Sequence, residues 1–399
     1  MNLFSKAVQT VDMKKGWICA AAAIVLGAAV MTGLPATAAS AQEVAAGCKA
    51  AYLMDDASGV QMYAREETKR LPIASMCKIM TLLLALESAD AGELSFDEEI
   101  TVSERAAGMG GSQVFLGAGL SYPVDQLLKS IAVCSANDSC VAIAERISGS
   151  EGAFCEKMNA RAKELGAENT LFANCTGLPK EPQYSCAKDV ALMLRELIRH
   201  EKYHEYARVW LEDFSHPDGR ITQMTNTNKL IRQYDGCDGG KTGFTNEAGF
   251  CLASSAKRGE MRVVSVVIGA SDSKTRFAAA KDLFDYAFDN FESKTYLAAG
   301  EALPETIAVR GSKVKQVEYA PKETLSVLRK RGTEETFSVT MELSDELSAP
   351  VEAGQSVGHA ILLRDGVEIA RTELVSCSDA PKYTWWEAYR EEARHWNIP

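Results

Sequence analysis

The stretch Leu71-Pro72-Ile73-Ala74-Ser75-Met76-Cys77-Lys78-Ile79-Met80-Thr81-Leu82-Leu83-Leu84-Ala85-Leu86 decides how this chain folds. Residues 76–86 are apolar on nearly every face of a helix, which predicts a helix buried in the middle of a domain. Such helices seldom hold a lysine for structural reasons. Lys78 follows Ser75 by three residues, so at the helix start the two share a face and the amine reaches the hydroxyl. A lysine sunk among Met, Leu and Ile loses hydration, which disfavours its charged form. A neutral amine beside a serine hydroxyl can take its proton and make it a nucleophile without any histidine. Taken alone, S-x-x-K is equally the pattern of a capped helix with a snorkelling lysine.

Outward from this segment the pattern sharpens. Upstream, Ala50 to Leu53 and Val60 to Tyr63 read as two strands of a hairpin around a turn from Asp55 to Gly59. Downstream, a helical stretch from Val124 to Ala132 runs into Cys134-Ser135-Ala136-Asn137-Asp138, with a second apolar helical stretch from Val141 to Ile147. Much later comes Asp238-Gly239-Gly240-Lys241-Thr242-Gly243-Phe244, followed by strand-forming runs from Gly249 to Ser255 and Arg262 to Gly269. Glycines beside a strand let a ligand's backbone approach closely.

The ordered set S-x-x-K, S-x-N and K-T-G is that of penicillin-binding proteins and class A β-lactamases. With Gly110-Gly111-Ser112-Gln113-Val114-Phe115-Leu116, the segment from Asn159 to Asn174, Asn226-Thr227-Asn228-Lys229-Leu230 and Ala248 to Lys257, the chain resembles the low-molecular-mass penicillin-binding proteins. More narrowly, it resembles the exported serine D-alanyl-D-alanine carboxypeptidases, over about residues 46–295 and more loosely to 378. The resemblance implies an α/β fold of the β-lactamase/transpeptidase type, an antiparallel sheet flanked by helices, followed by a small all-β domain at 303–378. It also implies that Ser75 attacks the penultimate D-alanine carbonyl of a peptidoglycan stem peptide, Lys78 is the base, and Ser135 relays protons between Lys78, Lys241 and the departing amine. Asn137 would hold the peptide backbone and help fix Lys78. Lys241, Thr242 and Arg276 would bind the terminal carboxylate, and the backbone N–H groups of Ser75 and Phe244, beside Gly243, would form the oxyanion hole. β-Lactam antibiotics would be covalent inhibitors, and no metal or organic cofactor is implied. Cys77 inside the first motif and Cys134 before the second depart from the family pattern and mark candidate sites of thiol modification near the site.

Two other readings share the sequence. A class A-like β-lactamase would need a deacylating glutamate, and Glu168-Asn169-Thr170-Leu171-Phe172 matches the E-x-x-L-N loop only in part, with Phe172 where Asn is required. His200-Glu201-Lys202-Tyr203-His204 is a literal H-E-x-x-H, which on a helix would suit zinc. Its neighbours are strongly polar, so the competing expectation is an exposed helix end or connecting turn.

The rest of the 399 residues bound the setting. Lys+Arg 43 against Asp+Glu 54 gives a net charge of -11, which argues against a nucleic-acid partner. Lys14 and Lys15, an uncharged run from Gly16 to Leu34, Pro35 and Ala39-Ser40-Ala41 read as a signal peptide over residues 1–41 or, the run being long enough to span a bilayer, an uncleaved anchor, and either implies export to the cell-wall side of the cytoplasmic membrane. Ten of the eleven cysteines lie beyond it with no C-x-x-C, and mostly reduced, buried thiols are expected. After Phe291 short alternating runs, including one through Asp365-Gly366, predict hairpins. The tail 380–399 places Trp385, Trp386, Tyr389 and Trp396 at near-helical intervals among mixed charges, so either peripheral membrane contact or packing on the β domain is expected.

Overall fold

The computed structural model describes residues 44–395. The signal peptide expected at 1–41 and the last residues of the tail lie outside them. The first hairpin pairs Ala50–Asp55 with Gln61–Arg65, and its turn is fastened by the Asp55 carboxylate, which accepts from the Ser58 N–H at 2.8 Å and the Ser58 hydroxyl at 2.6 Å. This hairpin is one side of a five-stranded antiparallel sheet. Its order is Gln61–Arg65, Ala50–Asp55, Met261–Ala270, Gly249–Arg258 and Cys237–Thr245. Cys237–Thr245, the strand carrying Lys-Thr-Gly, is therefore an edge.

Alternation of side chains divides the sheet between two cores. Ala51, Leu53, Val263 and Val267 face the Ser273–Asn290 helix with Phe277, Leu283 and Phe284. Tyr52, Met54, Val264, Val266 and Ile268 face a helical layer inserted in the chain between the Gln61–Arg65 and Cys237–Thr245 strands of the sheet. At its centre is Lys78–Asp90, whose residues 78–86 are all buried, as an all-round apolar helix must be. The Ala74–Cys77 turn before it is 3₁₀, so Ser75 sits just ahead of the helix rather than in its first turn. Val124–Cys134 and Asn137–Ser148 are two helices because Ser135 takes a left-handed conformation, φ 67°, that breaks the run between them.

The remainder is β up to a terminal Trp385–His395 helix. Phe291–Leu297 pairs with Leu325–Lys330, and a six-stranded sheet runs Phe337–Leu343, Ser356–Arg364, Val367–Ser376, Gln316–Pro321, Thr306–Arg310, Glu346–Ser348. Asp365 and Gly366, both at positive φ, make the hairpin turn expected of Asp-Gly. Val317, Tyr319, Leu325, Leu362 and Leu374 fill a core of its own. All ten described cysteines are free, six of them buried. Among the described residues no helix is long and apolar enough to cross a membrane.

Candidate active site

The three motifs meet at the Lys-Thr-Gly edge of the sheet. Lys78 Nζ lies 3.1 Å from Ser75 Oγ and donates to the Thr176 carbonyl at 2.6 Å. Lys78 and Lys241 are both sealed from solvent, at 0% and 1% exposure, and two buried lysines with no carboxylate partner are costly unless chemistry requires them. Burial and the nearby Lys78 charge bring Lys241 down to about 7. Its Nζ donates to the Thr242 carbonyl at 3.2 Å.

Left-handed Ser135 and the following Asn137 come from the break between the two helices. The Asn137 N–H donates to the Ser112 carbonyl and its Nδ2 to the Gly110 carbonyl, both at 2.7 Å, so the Gly108–Gly111 stretch serves as a wall of the site rather than a free turn. Ser135 Oγ, Asn137 Oδ1 and Arg276 Nε are buried without a hydrogen-bond partner. Polar atoms left in that condition are expensive in a stable fold, and Ser135 Oγ and Asn137 Oδ1 are groups that a polar ligand would satisfy. Arg276 lies behind the Lys-Thr-Gly strand, with Nη1 donating to the Gly243 and Cys251 carbonyls at 3.4 Å and the guanidinium against the Phe250 and Phe277 rings. Burial lowers it to about 10, which leaves it cationic at neutral pH. Thr242 is buried, whereas the Phe244 ring is exposed and packs on Phe250 with centroids 4.3 Å apart.

Two glycines grip the nucleophile turn. A Cβ on Gly243 would lie 2.6 Å from the Ile73 carbonyl oxygen and 3.2 Å from Ser75 N. On Gly177, at φ +81°, it would lie 2.0 Å from the Ala74 carbonyl oxygen. Only hydrogen fits at either place, so strand and loop both approach the Ser75 backbone closely.

Sequence reasoning missed the loop behind Lys78. Asn174 Oδ1 accepts from Thr176 N–H at 3.1 Å and Gly177 N–H at 2.7 Å, and its Nδ2 donates to the Leu178 carbonyl, which fixes the Thr176 carbonyl over the lysine. Lys78 is thus held by Thr176, and the amide of Asn137, expected to help fix it, turns to Gly110 instead. The Asn-x-Thr-Gly order was the available signal, being that of a side-chain-closed turn.

The other readings lose their geometry. Glu168 is exposed, and the adjacent Asn169 N–H and Thr170 hydroxyl donate to Asp189, drawing the segment toward the Ala187–Leu197 helix. His200 precedes the Glu201–Ala207 helix with Nδ1 2.8 Å from the Asp90 carboxylate. His204 has each ring nitrogen against a backbone carbonyl, Asp238 at 3.1 Å and Ile198 at 2.8 Å. The pair does not converge, and no cluster suited to a metal ion occurs among the described residues. Nor is the segment the exposed helix end that its polarity suggested, because Tyr203, His204 and Tyr206 are buried. Burial also raises both site cysteines, Cys134 to about 11 and Cys77 further, which disfavours their thiolate forms.

Sheet, helical layer and a serine beside sealed lysines are together the arrangement of a serine hydrolase. The family model described as D-alanyl-D-alanine carboxypeptidase matches residues 35–272, and that of the penicillin-binding protein 5 C-terminal domain matches 291–382. The chain is 39% identical to D-alanyl-D-alanine carboxypeptidase DacF of Bacillus subtilis, over 85% of this chain and 87% of that one. Penicillin binding protein 5 from Haemophilus influenzae superposes with a TM-score of 0.66 at 29% identity, covering 84% of this chain and 98% of its own. A peptidoglycan synthesis regulatory factor (PBP3) from Streptococcus pneumoniae gives a TM-score of 0.64 at 26% identity, covering 84% and 99%. The chain belongs to the D-alanyl-D-alanine carboxypeptidase family.

Proposed function

We propose that this protein is exported and removes the terminal D-alanine from peptidoglycan stem peptides through an acyl-enzyme on Ser75. The observation that carries this reading is the solvent-sealed Lys78 amine 3.1 Å from Ser75 Oγ. Lys78 takes the hydroxyl proton as Oγ bonds to the penultimate D-alanine carbonyl carbon. The resulting oxyanion lies between the N–H groups of Ser75 and Phe244, each donor of this kind contributing about 3 to 4 kcal/mol in hydrolases. As the C–N bond breaks, the proton passes from Lys78 through Ser135 Oγ to the leaving amine, since a hydroxyl can accept from one amine and donate to another. Water then cleaves the ester. Lys241, Thr242 and Arg276 receive the substrate's carboxylate, and Asn137 Oδ1 takes a peptide N–H. A β-lactam acylates the same serine.

Incubation with a penicillin followed by peptide mass mapping tests the reading. A persistent adduct on the Ser75 peptide, with D-alanine released from a D-Ala-D-Ala peptide in its absence, is expected. Rapid drug hydrolysis with no lasting adduct and no D-alanine release would favour the β-lactamase.

Membrane contact through the tail is part of the same proposal. In the Trp385–His395 helix, Glu387 and Glu391 pair with Lys313 and Lys315 of the β domain, while Trp385, Trp386 and Tyr389 are 70%, 63% and 59% exposed and pack on one another. The acidic side is docked and the aromatic side is free, the arrangement that suits an interface between headgroups and acyl chains. Since Ala380 and Lys382 bridge to the β domain, substitution is a cleaner probe than truncation. The Trp385→Glu/Trp386→Glu chain should no longer sediment with phosphatidylethanolamine/phosphatidylglycerol vesicles that the wild type accompanies. Equal sedimentation of the two would remove the tail from the model of attachment.

A further inference from the structure

The H-E-x-x-H segment, which forms no metal site, lies against the lysine strand. We infer that Tyr203, with His204 beside it, is a positioning residue that holds the backbone of residues 238–240 and so aims Lys241 into the site. The inference rests on the reading of Lys241 as the carboxylate-binding amine.

Cys237–Thr245 is an edge strand, and its pairing with the next strand slips between Cys237 and Gly239, just before Lys241. An edge presents unpaired N–H and C=O groups, and a register shift adds more. Here side chains take them one after another. His204 Nδ1 lies 3.1 Å from the Asp238 carbonyl. Asn228 Nδ2 and Ser254 Oγ donate to the Gly239 carbonyl at 3.2 and 2.8 Å. The Tyr203 hydroxyl accepts from the Gly240 N–H at 2.9 Å and donates to the Gly240 carbonyl at 3.3 Å.

Of these groups, only the Tyr203 hydroxyl binds both polar atoms of the residue next to Lys241. The fit is close, because a Cβ on Gly239 would lie 3.0 Å from Tyr203 Cε1. His204 extends the clamp, its Nε2 being 2.8 Å from the Ile198 carbonyl at the end of the Ala187–Leu197 helix. The same short helix is moored elsewhere by the Tyr206 hydroxyl, which donates to Asp125 at 2.6 Å. Bracing of the strand by Tyr203 and docking of the helix by Tyr206 are thereby carried by different side chains.

Tyr203→Phe keeps the ring and removes only the hydroxyl. Loosening the strand next to a sealed amine admits water, so the Lys241 side-chain titration, which burial holds below the ordinary lysine range, should move upward by one pH unit or more when followed by NMR. In parallel, the ratio of kcat/KM for a D-Ala-D-Ala peptide over its C-terminally amidated analogue should fall about tenfold, as misplacement of a binding group does. Tyr206→Phe should lower Tm while leaving both readouts in place, and His204→Asn should move both in the direction of Tyr203→Phe by a smaller amount. The inference is overturned if Tyr203→Phe leaves the titration and the ratio unchanged, or if Tyr206→Phe shifts them equally. Should Tyr203→Phe fail to fold, His204→Asn decides in the same way. A wild type with no preference for the free carboxylate would instead remove the carboxylate reading of Lys241, and the brace would then be judged on the titration alone.

Discussion

A Lys78→Met chain is expected to acylate with penicillin at least about a thousandfold more slowly than the wild type, with D-alanine release falling in step, a loss within the range for removing a positioned base. Methionine is the appropriate replacement because the site of Lys78 is wholly buried on a helix beside Ile79, Met80 and Leu82, and a long unbranched apolar chain fills that space. The Thr176 carbonyl loses its 2.6 Å donor, a cost of about 1 to 3 kcal/mol for an unsatisfied buried acceptor. Against that, an amine no longer has to be stripped of water, so the chain should fold. Stopped-flow acylation alongside a thermal melt separates the two effects. An acylation rate within tenfold of the wild type would show that another group takes the Ser75 proton, and Lys241, the second sealed amine, would be the first to test.

What could be read in advance follows from how local each feature is. The buried helix was legible because residues 76–86 leave no polar face, and the hairpins were legible because Asp55–Gly59 and Asp365-Gly366 carry their turn chemistry in adjacent residues. Ser75 and Lys78 declare themselves through a three-residue spacing. Ser135 could be named from its motif, but its left-handed backbone could not, since nothing about Cys-Ser-Ala-Asn demands it. The partner of Lys78 was illegible for a different reason. Thr176 acts through a carbonyl, which every residue possesses, and reaches the lysine across 98 positions of sequence. His204 misled in the opposite sense: local polarity argued for exposure, and burial was imposed by strand groups near residue 238 that need partners. Tertiary demand for hydrogen bonds, absent from any window of sequence, decided both cases.

Gly243→Ala carries the second large effect, and it isolates backbone fit from side-chain chemistry. The added methyl would stand 2.6 Å from the Ile73 carbonyl oxygen and 3.2 Å from Ala74 Cβ and Ser75 N, and the closest of these atoms belongs to main chain that cannot rotate aside. Either the strand or the Ser75 turn must retreat by several tenths of an ångström. Such overpacking costs about 1 to 3 kcal/mol in stability, which the large apolar cores on both faces of the sheet can absorb. Catalysis has less tolerance, because the proposed oxyanion donors, the N–H groups of Ser75 and Phe244, sit on the two segments being forced apart. Losing one donor in well-studied hydrolases costs a hundredfold to a thousandfold in kcat, about 2.7 to 4 kcal/mol, and a drop of that size is expected for both peptide cleavage and penicillin acylation. Lys78 and Lys241 remain chemically intact in this variant, so the loss should appear in kcat with little change in the pH profile. Activity within threefold of the wild type would mean that the donors are not on these two segments.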